Sequence, residues 1–374
     1  MKTRPATAVI AVILLATAAI LSAVLSGVST STISAPYLVK VTCDGTPSDS
    51  ATLQRAINAS RPGAVIYIQG GTCMLTHGIS LLGDRTYTGG VTTGTVLQQD
   101  ARMAYVLASA AYVGNNSTTG DPLAIRDLTV ACDGAGGTDG IIVLNWQVDV
   151  DHVDVSDCGG SGIVDTNTTE NGGEITNDSV NSRFDNNFIT NSGQYGFEVQ
   201  DSGNSVTDGY LDDNQIAHSG KDSIHLDNAA GWNISGNHLY SDGQDGINAN
   251  RLFGTTISNN YIEDFGAKQR SGTWYGIVAT VQGDIGSTIF SNKVFNRIGE
   301  TAGARYVYIG ITQTDYGTGY LSVTGNLIVG VHSSDVGFSF NGGSNKLIVV
   351  SSGNQVVRVG TVRSDGRVTV TGGT

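Results

Sequence analysis

NNFIT (186–190), DNQIA (213–217), GNHLY (236–240) and NNYIE (259–263) repeat one pattern, an Asn ahead of a short apolar stretch. The Asn positions, 187, 214, 237 and 260, are spaced by 27, 23 and 23 residues. Each is followed by a second motif: YGFEV (195–199), DSIHL (222–226), DGINA (245–249) and YGIVA (275–279). Self-similarity at a period in the twenties marks a solenoid, in which one coil cannot bury its apolar face alone and must stack on the next.

Residue types decide which solenoid. The apolar runs are three to five residues long, alternate with period two (Ile224-x-Leu226, Ile247-x-Ala249), and are broken by Gly, Asn, Asp and Ser. That is the signature of short strands and tight turns, with no room for helices. A fixed Leu lattice, as in leucine-rich repeats, is absent. The expected fold is therefore all-β, a right-handed parallel β-helix whose strands pair with their copies ~4.8 Å along the axis. Asn amides stacked in a turn would bond one another along that axis, and the series continues at Asn292, Asn326 and Asn354.

Residues 1–29 carry Lys2 and Arg4, then an apolar run from Ala6 to Leu25, and are expected to be an export signal. The run is nearly long enough to span a bilayer, so an uncleaved membrane anchor is the rival. Residues 30–120 are expected to form an N-terminal cap and first coils, and 121–374 the body of the solenoid. Without the signal the chain has 18 Lys+Arg (20 less Lys2 and Arg4) against 33 Asp+Glu, a net −15. Such a surface argues against nucleic acid or an anionic membrane as partner. It suits a polyanionic substrate only where the few cations converge. Four cysteines after an export signal are expected to pair as Cys43–Cys73 and Cys132–Cys158, the second pair being about one coil apart. No cofactor or metal is indicated, since no Cys/His cluster suggests zinc and Asp212-Asp213 is no calcium loop.

The opening is of another style. Asp49–Asn58 reads as a short amphipathic helix, with Ser48 or Asp49 as N-cap and Leu53 and Ile57 on one face. Asp44-Gly45-Thr46, Asp49-Ser50, Leu53-Gln54, Ala56-Ile57, Val65–Ile68, Gly71, Cys73 and Leu75 follow in an order that resembles the start of the pectate-lyase-like superfamily, as in rhamnogalacturonase-like enzymes and phage tailspikes. Two departures stand out: Asp49-Ser50-Ala51 replaces the usual Asp-Asp-Thr, and Gln69-Gly-Gly-Thr-Cys73 replaces Pro-x-Gly-Thr-Tyr. The resemblance covers roughly residues 40 to 100 and implies a β-helix closed by that helix. It implies little about chemistry.

Stacking the second motifs on Gly140, Gly162, Gly196, Ser223, Gly246, Gly276, Gly310 and Gly337 puts Ile141, Ile163, Phe197, Ile224, Ile247, Ile277, Ile311 and Phe338 inside. By the period of two, the next residue points outward. One outward column then holds Glu198, His225, Asn248, Val278, Thr312 and Ser339, and another Gln200, Asp227, Asn250, Thr280, Thr314 and Asn341. Titratable groups gather on the coils of 198, 225 and 248. Glu198 and Asp227 should have their Cβ atoms on the order of 8 Å apart, enough for acid and base to work across a glycosidic bond with a water between them. His225 could tune either proton. Asp139, Asp222 and Asp245 precede these strands as ordinary turn residues. Lys221, Asn248, Asn250 and Arg251 could contact substrate, and Tyr195 at the head of the first strand, with Trp274 and Tyr275 expected beside the cluster, could stack on sugar rings. Insertions at 267–274 and 299–305 would wall the groove. His152 and Asp127 hold ladder-like turn positions in early coils.

These features are expected in a secreted polysaccharide-degrading enzyme, with paired-carboxylate hydrolysis placed ahead of β-elimination. The polygalacturonase signature of three Asp with Gly-His-Gly is absent. The alternative is a non-catalytic glycan-binding or adhesive β-helix, for which the resemblance to tailspikes suggests a homotrimer. Ice binding would need a flat, regular Thr array, and the outward columns are too irregular.

Overall fold

The computed structural model describes residues 37–134, 136–268, 271–298, 303–314, 316–360 and 363–372. The expected signal at 1–29 lies outside the described residues, as do 269–270 and 299–302 of the two insertions. Each coil presents three strands, and every pairing in the body links a strand to its copy one coil away, in parallel. The first face includes Arg183–Asp185, Tyr210–Asp212, Asn233–Ser235 and Thr256–Ser258. The second includes Phe188–Thr190, Gln215–Ala217, His238–Tyr240 and Tyr261–Glu263. The third includes Ile163–Thr166, Phe197–Gln200, Ile224–Leu226, Ile247–Leu252, Gly272–Val281 and Ala304–Gln313.

First and second faces meet at a corner made by one left-handed residue: Asn186, Asp213, Gly236 and Asn259 have φ of 56°, 55°, 71° and 57°. Asn, Asp and Gly tolerate this region best, which is why the sequence repeats them there. Next comes the ladder. The Nδ2 of Asn187, Asn214, Asn237, Asn260, Asn292 and Asn326 each donates 3.0 Å to the Oδ1 of the next, ending at Asn354. Asp127 and His152 fill the left-handed position before the ladder, not the ladder itself. Val153 stands opposite Asn187 and donates its N–H to the Asn187 Oδ1 at 3.0 Å.

Inside, Ile163, Phe197, Ile224, Ile247 and Ile277 superpose coil by coil, each fully buried. At the next coil the sequence alignment slips by two. Ile277 pairs with Ile309, not Ile311, so the residue in the Gly position is Tyr308. The outward residues there become Gly310 and Thr312 rather than Thr312 and Thr314. Gly-Ile-Thr at 310–312 imitates the motif, but the longer strand Ala304–Gln313 follows its neighbour Gly272–Val281 from the start, and that pairing fixes the register.

The helix Asp49–Ala59 closes the first coil by two means. Leu53 and Ile57 bury their side chains on the core. Its polar side chains also occupy the open strand edge, where unpaired N–H groups would otherwise face the helix. Asp49 Oδ2 accepts from Met74 N (3.0 Å), Ser50 Oγ from Thr76 N (2.8 Å), and Gln54 Oε1 from Ser80 N (2.8 Å). Ser48 holds the N-cap position but makes no side-chain cap bond, and Asp49 reaches back to the N–H of Asp44 and Gly45.

Both disulfides form as expected, Cys43–Cys73 and Cys132–Cys158. Cys43 and Cys73 lie beside the capping helix, so the double variant C43S/C73S should lose about 2–4 kcal/mol of stability by loop-closure reasoning. Urea melts of oxidised wild type and variant check this; coincident curves would remove the disulfide from the account of the cap.

Candidate active site

The third face carries the titratable groups, and its parallel register places them. Glu198 pairs with His225, and His225 with Asn248, so their side chains form one outward column on three consecutive coils. Asp227 follows two residues after His225, with its side chain 48% exposed.

His225 is held from both sides. Its Nδ1 lies 2.8 Å from Asp222 Oδ2 and its Nε2 3.4 Å from Asp227 Oδ1, so both ring nitrogens face carboxylate oxygens. Burial alone would depress the imidazole, but the hydrogen bonds and charges of Asp222 and Asp227 outweigh it and raise the pKa to about 9. The ring is therefore an imidazolium at neutral pH. Tyr195 stacks on it, centroids 4.3 Å apart and planes at 24°, and Lys221 Nζ sits 4.8 Å from the Tyr195 ring centre. Burial, aided by the charges of Asp222, Glu198 and Asp227, pushes the Tyr195 phenol up to about 12, so it keeps its proton.

Glu198 is turned toward the preceding coil. It accepts from Ser161 Oγ (2.5 Å) and, on its other oxygen, from Gln200 Nε2 (3.0 Å). Glu198 and Asp227 thus have separate partners, Ser161 on the preceding coil and Gln200 on the same strand for Glu198, and His225 for Asp227. The amides of Asn248 and Asn250 make no hydrogen bond among the described residues. Arg251 adopts φ 63° in a bulge where the register shifts, and its Nη1 donates to Gly203 O at 2.5 Å, at the far edge of the strand.

Trp274 and Tyr275 do not border His225. They stand two coils beyond it, ~10 Å along the axis, where the Trp274 indole donates to Ser271 O (3.1 Å) and the Tyr275 ring covers Gly310.

The turn carboxylates do more than close turns. Asp222 is buried, accepts the Asp245 N–H at 3.0 Å and anchors His225. Asp245 in turn accepts the Tyr275 N–H at 2.7 Å; burial first, then the Asp222 charge, pushes it to about 7 despite that bond and the nearby imidazolium. Asp242, fully buried and bonded to Ser223 Oγ, is raised well above the usual carboxylate range by burial. The signal in the sequence was Asp222 three residues before His225; what hid it was that Asp-Ser and Asp-Gly are also common turn pairs.

Among the described residues Lys221, Arg251 and Lys268 near this site form no ion pair, whereas Arg126, Arg183 and Arg297 elsewhere do. Lys268 reaches Ser219 O at 3.5 Å, in the turn that carries Lys221. No group of three His, Cys, Asp or Glu among the described residues could hold a metal ion. A concavity of about 420 Å³ lies elsewhere, on the first face. Its arginines are already engaged, Arg85 with Ser60 and Gly83 and Arg183 with Tyr210 and Asp185, so it offers no comparable chemistry.

Comparison with known proteins places the fold. The profile of the family described as right handed beta helix region matches residues 139–358. No curated protein matches the chain. Among solved structures, the A-modules of the Azotobacter vinelandii mannuronan C-5 epimerases AlgE6 and AlgE4 each superpose with a TM-score of 0.61 at 15% identity. Each match covers 90% of this chain and 99% or 100% of the module. The Dettilon tailspike protein superposes at 0.56 and 12% identity, covering 87% of this chain and 68% of its own. At such identities the likeness establishes the fold. With its Asn ladder, parallel three-strand coils and a family match over more than half its length, the chain belongs to the right-handed β-helix family.

Proposed function

We propose that the third face of coils 195–251 is the active surface of a secreted enzyme acting on a uronate-bearing polysaccharide. The observation that carries this is the stack Lys221–Tyr195–His225, with His225 clamped between Asp222 and Asp227. Removing the proton next to a sugar carboxylate leaves an electron pair that must spread into that carboxylate. Two fixed positive charges, the Lys221 ammonium and the His225 imidazolium, stabilise the charge that develops there. Asp227, exposed and oriented by His225, takes the proton as the C5–H bond breaks. Tyr195, which keeps its phenolic proton, can return one. Return to C5 from the other face gives an epimer; expulsion of the oxygen at C4 gives an unsaturated sugar and a cut chain. Two structures of this fold are named mannuronan C-5 epimerases, and C-5 epimerisation begins with this step.

Hydrolysis, placed first from the sequence, ranks second. It needs Glu198 and Asp227 to face one bond, and Glu198 is bonded toward the preceding coil. A non-catalytic glycan binder is the third reading. The disulfides fit an oxidising compartment and hence secretion; no helix among the described residues is long and apolar enough to cross a membrane.

The test is incubation in D2O with mannuronan, polygalacturonate and a neutral β-glucan. Deuterium at C5 or absorbance from unsaturated uronates is expected with a uronan. Reducing ends without either signal would mean a hydrolase, and binding with no product an adhesin.

The pH dependence follows from His225. Its folded pKa of about 9 exceeds the ordinary 6.5. Its contribution to stability is thus complete below about 6.5 and lost as pH rises through about 9. Activity should show an alkaline fall with a midpoint near 9, absent from whatever activity His225→Gln retains. A wild-type rate flat to pH 10 would contradict a role for the imidazolium.

A further inference from the structure

The second face has an outward surface that the acid–base cluster does not use. On the same four coils the first face turns out Asp212, Asn233, Ser235, Thr256 and Thr288, and its two rings, Tyr210 beneath Arg183 and Phe290, stand three coils apart. On the second face rings touch from coil to coil. His238 lies 4.8 Å from Tyr261 on the next coil and 4.9 Å from Tyr240 on its own strand. Tyr261 meets Phe295 one coil further at 5.4 Å, and His218 meets Tyr240 at 5.6 Å. The strip crosses four consecutive coils, ~14 Å along the axis. Its polar ends are organised too: Gln215 Nε2 donates to the Tyr240 hydroxyl and Tyr261 donates to Glu263, each at 2.9 Å.

We infer that this strip is an ancillary binding surface for a polysaccharide strand, away from the reacting groups; the inference rests on the reading that the protein acts on a glycan. Three observations favour that occupant. The side chains are phenols, imidazoles, an amide and a carboxylate, which offer apolar ring surface next to hydrogen-bonding groups, as a sugar's C–H faces and hydroxyls require. Charge is the second. The chain is strongly acidic, yet Glu263 and Asp264 share Arg297 Nη2 at 2.9 and 3.7 Å, and Lys293 stands beside Tyr261 on the next coil, so two cations match two carboxylates and an acidic polymer meets no net repulsion there. The third is continuity. His218 immediately precedes the turn Ser219-Gly220-Lys221, and Lys221 is the cation of the third-face stack. A polymer can rest on the strip while a neighbouring stretch occupies the cluster.

The test uses retention on immobilised mannuronan, polygalacturonate and β-glucan, in the Asp227→Asn background so that the polymer is not consumed. Adding Tyr240→Ala and Tyr261→Ala should weaken retention about tenfold, about 1.4 kcal/mol, by removing two of the ring faces. Tyr320→Ala, which removes an exposed tyrosine of the first face, is the control and should change nothing. Circular dichroism melts confirm that the variants are folded. Unchanged retention in the double-ring variant, with the parent still bound, overturns this inference and leaves the enzyme reading standing. A parent that no polymer retains overturns both. Sedimentation showing a parent oligomer that the ring substitutions dissociate would make the strip a subunit interface, and likewise overturns it.

Discussion

Replacing Asp227 by Asn is expected to lower turnover of a uronan by ~10²–10⁴-fold, the range for losing a general acid or base. Asn keeps the size of the side chain and can still accept from His225 Nε2, so the geometry of the stack survives. What disappears is a carboxylate able to take a proton. The loss should fall on kcat more than on KM, because the group acts on the reacting hydrogen rather than on binding. The melting temperature should hardly move. Asp227 is about half exposed, its only ion pair among the described residues is the 3.4 Å approach to His225, and exposed charges contribute little to stability. Asn341→Ala is the matched control, an exposed residue in the same outward column several coils away. Equal turnover in the two variants would place the adhesin reading ahead of the enzyme.

How far the sequence went depends on whether a feature is periodic. The Asn ladder and the stacked Phe197, Ile224 and Ile247 were legible because each coil repeats the same physical demand: a left-handed corner, a buried amide and an inward apolar side chain. Period two then placed Glu198, His225 and Asp227 outward. The partners of those groups were not legible. Glu198 could turn to either neighbouring coil, and Ser161 with Gln200 decides it, through rotamers that strand alternation does not specify. Asp222 looked like turn chemistry because its role depends on the turn folding its carboxylate onto the strand three residues on. The two-residue slip at Tyr308 has another cause: a Tyr in a Gly column breaks the pattern, and the copy at Gly310 resembles it better than the true position does. Trp274 and Tyr275 seemed near the cluster in the sequence, but each coil adds a rung, and two rungs are enough to separate them from His225.

Replacing Asn237 by Ala should cost about 2–4 kcal/mol, among the largest effects of a single substitution in the body of the solenoid. The Asn237 side chain is fully buried and takes part in four hydrogen bonds. Its Oδ1 accepts from the backbone N and the Nδ2 of Asn214, each at 3.0 Å. Its Nδ2 donates to Leu211 O at 2.8 Å and to Asn260 Oδ1 at 3.0 Å. The substitution does not orphan all of these partners. Asn214 Nδ2 retains Phe184 O, and Asn260 Oδ1 retains the Asn237 backbone N–H. The Asn214 backbone N–H is the group left without its acceptor, in a corner with no access to water, and the cavity adds to that cost. Asn354 supplies the comparison. It ends the ladder and is 9% exposed, so water can replace part of what Asn354→Ala removes, and its cost should be smaller. Urea melts of both variants give the order, with the change read at constant slope. A cost for Asn237→Ala no larger than that for Asn354→Ala would mean that the amides merely fill the corner, and that the stacked apolar core alone holds the coils in register.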